Sequence, residues 1–453
     1  MRVSKTFATA LLCSAVGCTA ATSPSESEGT SASPVAASGT FNVVTYNVDG
    51  LPAILQGNGG DPEKYTPTIG QKLRQYDLVN VQEDFNSHAA LYANDNHPYR
   101  TATSGGAGIG SGLNTMSVFP FADDIDRVKW QTNSSTDGNN LTPKGFTWLR
   151  LRLAEGVYID TYNVHTNAGD SDAALSARRA NILQLVDYIG SHSAGNAVLV
   201  FGDTNTRYTR TGDNIRNLLG AVGHDSWVDL MKGGTPPAQG SPALVWDDEN
   251  TVLTDFGYEF VDKVLYRSNA YISLSAQTYS VLDGAFRDSD GHMLSDHRPV
   301  FTKFQYTLAS GLRLSDQFGG PHGDSYNDAN QLPARPTVQS ISLRSANRVD
   351  QVSLTLGNGT RSSHGGTGGT EQSLALNAGE HVTSVQLYAD DFDGHTRIFH
   401  ASFGTSQGRT LAGGTKSGSS VTYTAPEGWQ IVGFHGRSGD EVDKLGVIFA
   451  PVP

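Results

Sequence analysis

Apolar runs that stop abruptly at polar residues set the pattern of the first two thirds of the chain. Residues 197–201 read Ala-Val-Leu-Val-Phe, an unbroken apolar run that predicts a strand buried on both faces. Gly202 breaks it, and Asp203 and Asn205 follow two positions apart, where they can share a face beyond the strand's end. Residues 41–47 form a β-rich run ending in Asn47, and residues 77–83 form another ending in Gln82-Glu83. Residues 146–153 alternate apolar and polar positions as a half-exposed strand does, and residues 157–164 predict the strand that delivers His165. A strand within residues 259–266 carries Asp262, and residues 300–308 form another, entered through Ser295-Asp296-His297-Arg298-Pro299. Helices are predicted over about residues 67–75 and over 173–192. In the second, Leu175, Ile182, Leu185, Val186 and Ile189 recur at helical spacing behind an N-cap from Asp170, Ser171 or Asp172. Strands and helices mixed in this way predict a layered α/β domain. After residue 310 the helical period disappears. Glycines and short alternating runs at 340–343, 349–356 and 381–388 predict a second, all-β domain.

A length of 453 residues agrees with two domains. A net charge of −13 argues against a broad basic surface, so no stable nucleic-acid partner is expected. Arg2 and Lys5, then a mostly apolar stretch over 7–16 and small residues after it, read as a signal peptide over residues 1–20 of a secreted protein. Both cysteines, Cys13 and Cys18, fall inside it, and Ala15-Val16-Gly17-Cys18 also resembles a bacterial lipoprotein site that would anchor the chain at Cys18. Residues 21–39, rich in Ser, Thr, Ala, Pro and Gly, read as a flexible linker.

The strand-end groups are Asn47, Glu83, His165, Asp203, Asn205, Asp262, Asp296 and His297. Each alone is an ordinary polar turn. Together they hold the parts for metal-assisted phosphoester hydrolysis. Hard oxygen donors such as Glu83 and Asn47 suit Mg²⁺, a carboxylate-held histidine suits proton transfer, and amide and imidazole donors suit phosphoryl oxygens. The series Asn47, Gln82-Glu83, Gly202-Asp203-Thr204-Asn205 and Ser295-Asp296-His297-Arg298-Pro299 resembles the motifs of the endonuclease/exonuclease/phosphatase superfamily across residues 40–307. The resemblance implies an α/β four-layered sandwich, two β-sheets flanked by helices. It implies Glu83 as the main Mg²⁺ ligand with Asn47 in support, Mn²⁺ or Ca²⁺ being able to take the ion's place. It implies His297 as general base assisted by Asp262 or Asp296, Asp203 on the nucleophile, and Asn205 and His165 on the scissile phosphate. Lys144-Gly145-Phe146, Val164-His165-Thr166-Asn167-Ala168 with Asp170, Asp172 and Arg178, and Gly112-Leu113-Asn114-Thr115-Met116-Ser117 resemble the secreted neutral sphingomyelinases. Residues 268–293 depart from that branch, lacking the exposed aromatic pair with which bacterial members enter membranes.

Phe318-Gly319-Gly320-Pro321-His322-Gly323, His364-Gly365-Gly366-Thr367-Gly368-Gly369 and the glycines of 436–446 place tight turns at strand ends. Their order resembles a jacalin-related lectin over residues 311–453, which implies an all-β prism domain. By that resemblance the sugar lies between Gly320 and the loop Gly439-Asp440-Glu441-Val442-Asp443, with Asp443 accepting from hydroxyls and the N–H groups of Glu441 and Val442 donating. The leading expectation is a secreted Mg²⁺-dependent phosphodiesterase acting on a phospholipid such as sphingomyelin, in peripheral contact with membrane and targeted to glycans. A deoxyribonuclease-like endonuclease, an inositol-phosphate phosphatase and a lectin with an inert enzyme-fold domain stay open beside it.

Overall fold

The structure is a computed structural model, and it describes residues 36–52, 61–104, 110–136, 139 and 141–453. The expected signal peptide, Cys18 and nearly all of the expected linker lie outside the described residues. The N-terminal part contains β1 (Ser38–Asn47), α1 (Pro62–Leu73), β2 (Leu78–Gln82), α2 (His88–Asn94), β3 (Tyr99–Arg100), β4 (Asn114–Ser117), β5 (Asp126–Lys129), β6 (Gly145–Ala154), β7 (Val157–His165), α3 (Asp172–His192) and β8 (Ala197–Asp203). It continues through α4 (Ile215–Val222), β9 (His224–Asp225), α5 (Ser226–Met231), β10 (Asp262–Arg267), β11 (Ile272–Val281) and β12 (Val300–Leu308). The strands form two six-stranded sheets, in the orders β11-β12-β1-β2-β4-β3 and β5-β6-β7-β8-β10-β9.

Strand alternation sorts the side chains of β1 and β2 between two layers. Val44, Tyr46, Val79 and Val81 pack outward with Ile69 and Leu73 of α1 and Leu91 of α2. Phe41, Val43 and Leu78 face the second sheet, whose other face receives Ile182, Leu185 and Ile189 of α3 and Ile215 and Leu218 of α4. The result is the expected four-layered sandwich. Toward the C-terminal ends of β1 and β2, the groups between the sheets turn polar. Asn163 donates to Val81 O at 2.9 Å and Asn114 O at 3.0 Å and accepts from Gln82 at 2.8 Å. Asn80 donates to Phe201 O at 3.1 Å and accepts from Thr115 at 2.7 Å.

The second part is all β, with β13 (Arg313–Leu314), β14 (Phe318–Gly319), β15 (Asp324–Asn327), β16 (Val338–Ser345), β17 (Val349–Leu356), β18 (Arg361–Gly365), β19 (Thr370–Ala375) and β20 (Val382–Phe392). They are followed by β21 (His395–Thr405), β22 (Thr410–Gly414), β23 (Ser419–Thr424), β24 (Trp429–Ser438) and β25 (Val442–Pro451). One sheet of five strands and two of four enclose a single apolar core.

Three expectations need correction. The first helix begins at Pro62, because Asp61 caps it by accepting from Lys64 N and Pro62 occupies its first turn, so Pro67 lies inside rather than at the start. Strand β1 begins at Ser38, paired with Thr307, so Ser38 and Gly39 belong to the sheet and not to the linker. Strand β6 is not half-exposed: its first seven residues are buried, because the second domain covers its polar face. Arg150 is held by Asp160 at 2.7 Å and reaches Ser325 at 2.7 Å, and Arg152 and Tyr158 both bind Asp316. Gly156 turns the chain between β6 and β7 at φ 66°, and a Cβ there would meet Leu314 O at 1.9 Å, so the contact admits only glycine.

Replacing Asn163 by Ala removes the side-chain donor to Val81 O and Asn114 O and leaves the Gln82 amide only its bond to Thr45. At about 1–3 kcal/mol per lost partner, the urea midpoint should fall by the equivalent of about 2 kcal/mol or more. An unchanged midpoint would mean that these amides do not join the sheets.

Candidate active site

Register brings the strand-end groups together. In the second sheet β7 runs parallel to β8 and β10 antiparallel to it, and His165 and Asp262 both stand opposite Asp203. In the first sheet Asn47 of β1 stands opposite Gln82, and Glu83 is the next residue. The two sheets therefore present these groups on one rim. The Asp203 carboxylate is the hub. Its Oδ2 accepts from Asn47 Nδ2 at 3.3 Å and Asn205 Nδ2 at 3.1 Å, with His165 Nε2 at 3.5 Å and His297 Nε2 at 3.8 Å. Its Oδ1 accepts from the Asn205 N–H at 2.9 Å. His297 Nδ1 lies 2.8 Å from Asp262 Oδ2, which fixes the ring so that Nε2 faces the rim. Ser295 ties this loop to β1 by donating to Asn47 O at 2.7 Å. The backbone is strained where the rim is built: Asp49, Glu83 and Asn205 have φ of 49°, 57° and 49°. Non-glycine residues in that region cost energy and cluster at functional sites.

Of the residues singled out in the sequence, Asn47, Glu83, His165, Asp203, Asn205, Asp262 and His297 converge here. Asp262, and not Asp296, holds His297 Nδ1; the Asp296 carboxylate accepts from Ser295 Oγ at 3.4 Å. Arg178 braces the loop after His165, donating to Asn167 O, Gly169 O and Asp213. Sequence reasoning gave no role to Lys144. Its ammonium is buried, reaches toward Thr166 O at 3.5 Å and shares its field with Glu83 and Asp203. The signal was present in the Lys-Gly-Phe element that opens β6.

Electrostatics divides the two imidazoles. Burial alone would depress His297, but the carboxylates of Asp262 and Asp203 overcome it and raise the imidazole well above its ordinary value. Burial, with Lys144 adding to it, pushes His165 well below its ordinary value, so that ring stays neutral. Burial raises the Glu83 carboxyl, with Lys144 and the Asn47 amide pulling back. Asp203 overcomes burial through His297, His165 and Lys144 and is held below the usual range.

In the second domain Gly320 N–H donates to Asp443 O at 2.8 Å, and Gly439 N–H to Glu441 O at 2.9 Å. Gly320, Gly439, Glu441, Val442 and Asp443 thus lie on two adjoining segments. The Glu441 carboxylate is gripped by Arg348 at 2.6 and 2.7 Å and by Arg397 at 3.0 Å. These ion pairs turn the Glu441 carboxylate into the protein.

Residues 51–303 match the model of endonuclease/exonuclease/phosphatase family 2. The chain belongs to that family. This endonuclease/exonuclease/phosphatase domain is followed by a jacalin-like lectin domain, matched over residues 315–448. A sphingomyelinase of Mycobacterium bovis is 35% identical over 277 residues, covering 59% of this chain and 53% of the relative, so the chain spans about half of that relative's length. Horcolin of Hordeum vulgare is 30% identical over 140 residues, 29% of this chain and 93% of the relative. A solved sphingomyelinase C from Streptomyces griseocarneus is 21% identical with a TM-score of 0.41, covering 58% of this chain and 99% of that one.

The endonuclease/exonuclease/phosphatase family is metal-dependent in general, and the rim fits a hard cation. Glu83, Asp203, Asp262 and Asp296 outnumber Lys144 and His297, and Asp262 Oδ1 is buried without a hydrogen-bond partner among the described residues. Asp203, Asp262 and His297 lie close enough together to hold an ion. The Asp262–His297 hydrogen bond already uses the inner faces of that pair, whereas Glu83 offers a carboxylate bound only weakly, by Asn47 at 3.2 Å and His165 at 3.7 Å. Oxygen donors of this kind suit Mg²⁺.

The raised His297 adds stability that is full below pH about 6.5 and fades as pH rises through its folded value; the depressed His165 adds stability present above about 6.5 and lost as pH falls. In protein stripped of divalent ions, NMR of the ring nitrogens should show His297 titrating above 6.5 and His165 neutral throughout. The reverse assignment would overturn this charge distribution.

Proposed function

We propose that the chain is a secreted, Mg²⁺-dependent phosphodiesterase that hydrolyses a phospholipid such as sphingomyelin by in-line attack of water, with the lectin domain holding it on glycosylated surfaces. The observation that carries the reading is the Asp262–His297 pair, 2.8 Å apart, aimed at an Asp203 carboxylate fixed by three hydrogen bonds. His297 Nε2 takes the proton from water as the water oxygen bonds to phosphorus and the P–O bond to the lipid alcohol breaks, the departing alkoxide taking a proton from solvent. Asp262 holds the ring and stabilises the imidazolium that forms. Asp203 orients that water. Neutral His165 donates from Nε2 to a phosphoryl oxygen, and the Asn205 amide and the Lys144 ammonium supply two further donors where negative charge develops. Glu83 and Asn47 would hold the cation. When bound, it supplies positive charge to the phosphoryl oxygens and weakens the grip of the neighbouring imidazole on its proton.

A lipid substrate is supported by the 35% identity to proteins named sphingomyelinase. Export is supported by the basic start and apolar stretch within residues 1–20. Among the described residues no helix is long and apolar enough to cross a membrane. Peripheral contact is the mode proposed, and exposed Val245 and Val252 are candidates to meet the bilayer.

The test is phosphocholine release from sphingomyelin vesicles with Mg²⁺ and with EDTA, beside a plasmid-nicking assay. Release should require Mg²⁺ and leave plasmid intact. His297→Ala should lower kcat/KM by about 10²–10⁴-fold, and Lys144→Met by about 10²-fold. Nicking without release, or a His297→Ala protein of full activity, would sink the proposal.

A further inference from the structure

Glu83 follows directly on β2 with a left-handed backbone, φ 57°. A glutamate held there is strained, and such strain persists only where the surroundings over-determine the conformation. Two glycines box it in. Gly50 N–H donates to Glu83 O at 3.1 Å, and a Cβ on Gly50 would meet that oxygen at 2.2 Å. A Cβ on Gly112, itself at φ 67°, would stand 2.9 Å from Glu83 Cα. Gly112 O accepts from Asp84 N–H at 3.0 Å, and Phe85 N–H closes a tight turn onto Glu83 O at 2.9 Å.

The side chain at the centre of that turn is Asp84, a buried carboxylate whose desolvation is costly unless donors meet it. Its Oδ2 lies 2.6 Å from His88 Nδ1 and accepts from Asn114 Nδ2 at 2.7 Å. With a carboxylate opposite, His88 Nδ1 carries the hydrogen. His88 is the first residue of α2 and Asn114 the first of β4, so the residue after Glu83 is tied to two separate elements. Both anchors are themselves held. Asn114 Oδ1 accepts from Arg127 at 3.1 Å, and Asn114 O accepts from Asn163 at 3.0 Å. The His88 ring packs on Tyr92 at 4.1 Å, and the Tyr92 hydroxyl donates to Thr101 O at 2.8 Å. The segment from Gly112 to Ser117, conspicuous in the sequence, thus supplies both a wall against Glu83 and a donor to Asp84.

We infer that Asp84, gripped by His88 and Asn114, is a positioning residue for the divalent cation: it fixes the turn on which Glu83 presents its carboxylate. A ligand fixed before the ion arrives loses less freedom on binding it, and the groups that orient a ligand are worth about 10–100-fold in metal affinity. The inference rests on the reading of Glu83 as the main cation ligand, and the experiment separates the two.

Mn²⁺ titration of the full chain, followed by electron paramagnetic resonance of the free ion, reads the affinity directly. Asp84→Ala should weaken Mn²⁺ binding by about tenfold or more. His88→Ala, which keeps the Asn114 bond, should weaken it by about threefold, and His88→Gln, which restores a donor, should recover most of that loss. Urea midpoints are measured beside the titrations. Variants with lowered midpoints and wild-type Mn²⁺ affinity overturn the inference, since a role confined to stability gives that pattern. His88 is half-buried at a helix start, so its two variants decide the matter if Asp84→Ala does not fold. Glu83→Gln tests the underlying reading. If it loses Mn²⁺ while the Asp84 and His88 variants keep it, only the positioning role falls. If it binds as wild type does, or wild type binds no Mn²⁺, both fall.

Discussion

Beneath the candidate active site, side-chain amides join the two sheets of the N-terminal domain where the apolar contact between them gives out. A buried amide must find donors and acceptors in fixed directions, so the Asn163, Asn80 and Gln82 bonds allow one register of sheet upon sheet and no other. Every distance at the rim descends from that constraint, because Asn47 and Glu83 belong to one sheet and His165, Asp203 and Asp262 to the other.

Gathering carboxylates at a shared rim is unfavourable in itself, and the site answers by interleaving them with donors. Asp203 stays charged through two imidazoles and a buried lysine, whereas Glu83, with fewer partners, is raised by burial. The two histidines, close in space, are driven in opposite directions: burial and Lys144 depress His165, whereas Asp262 and Asp203 raise His297 against its burial. One neutral donor and one proton acceptor thus arise from the same residue type.

The layered fold was legible because strands 41–47, 77–83, 157–164 and 197–201 are strongly apolar and end in polar residues. The site was legible for the same reason, since a polar group just past a buried strand stands out. What escaped was set by tertiary contact. Alternation in β6 signalled exposure, but its arginines are covered by the second domain, and no local pattern encodes a neighbour so far along the chain. Lys144 was visible as a motif yet had no role until β6 paired with β7 beside His165. The position of Pro67 inside α1 was hidden by the stronger start signal that proline usually gives, while Asp61 and Pro62 marked the true start.

Asp123 gathers Arg150 from its own domain and Arg437 and Lys444 from the lectin, and all of these groups are largely withdrawn from water. Such a junction is not a plug-and-socket joint between interchangeable modules. Grafting this lectin onto a different hydrolase would carry away two cations with no acid to receive them, and grafting a different lectin here would leave Asp123 facing the gap without its outer partners. The two domains are matched parts, and a chimera would have to transplant the acid together with its cations.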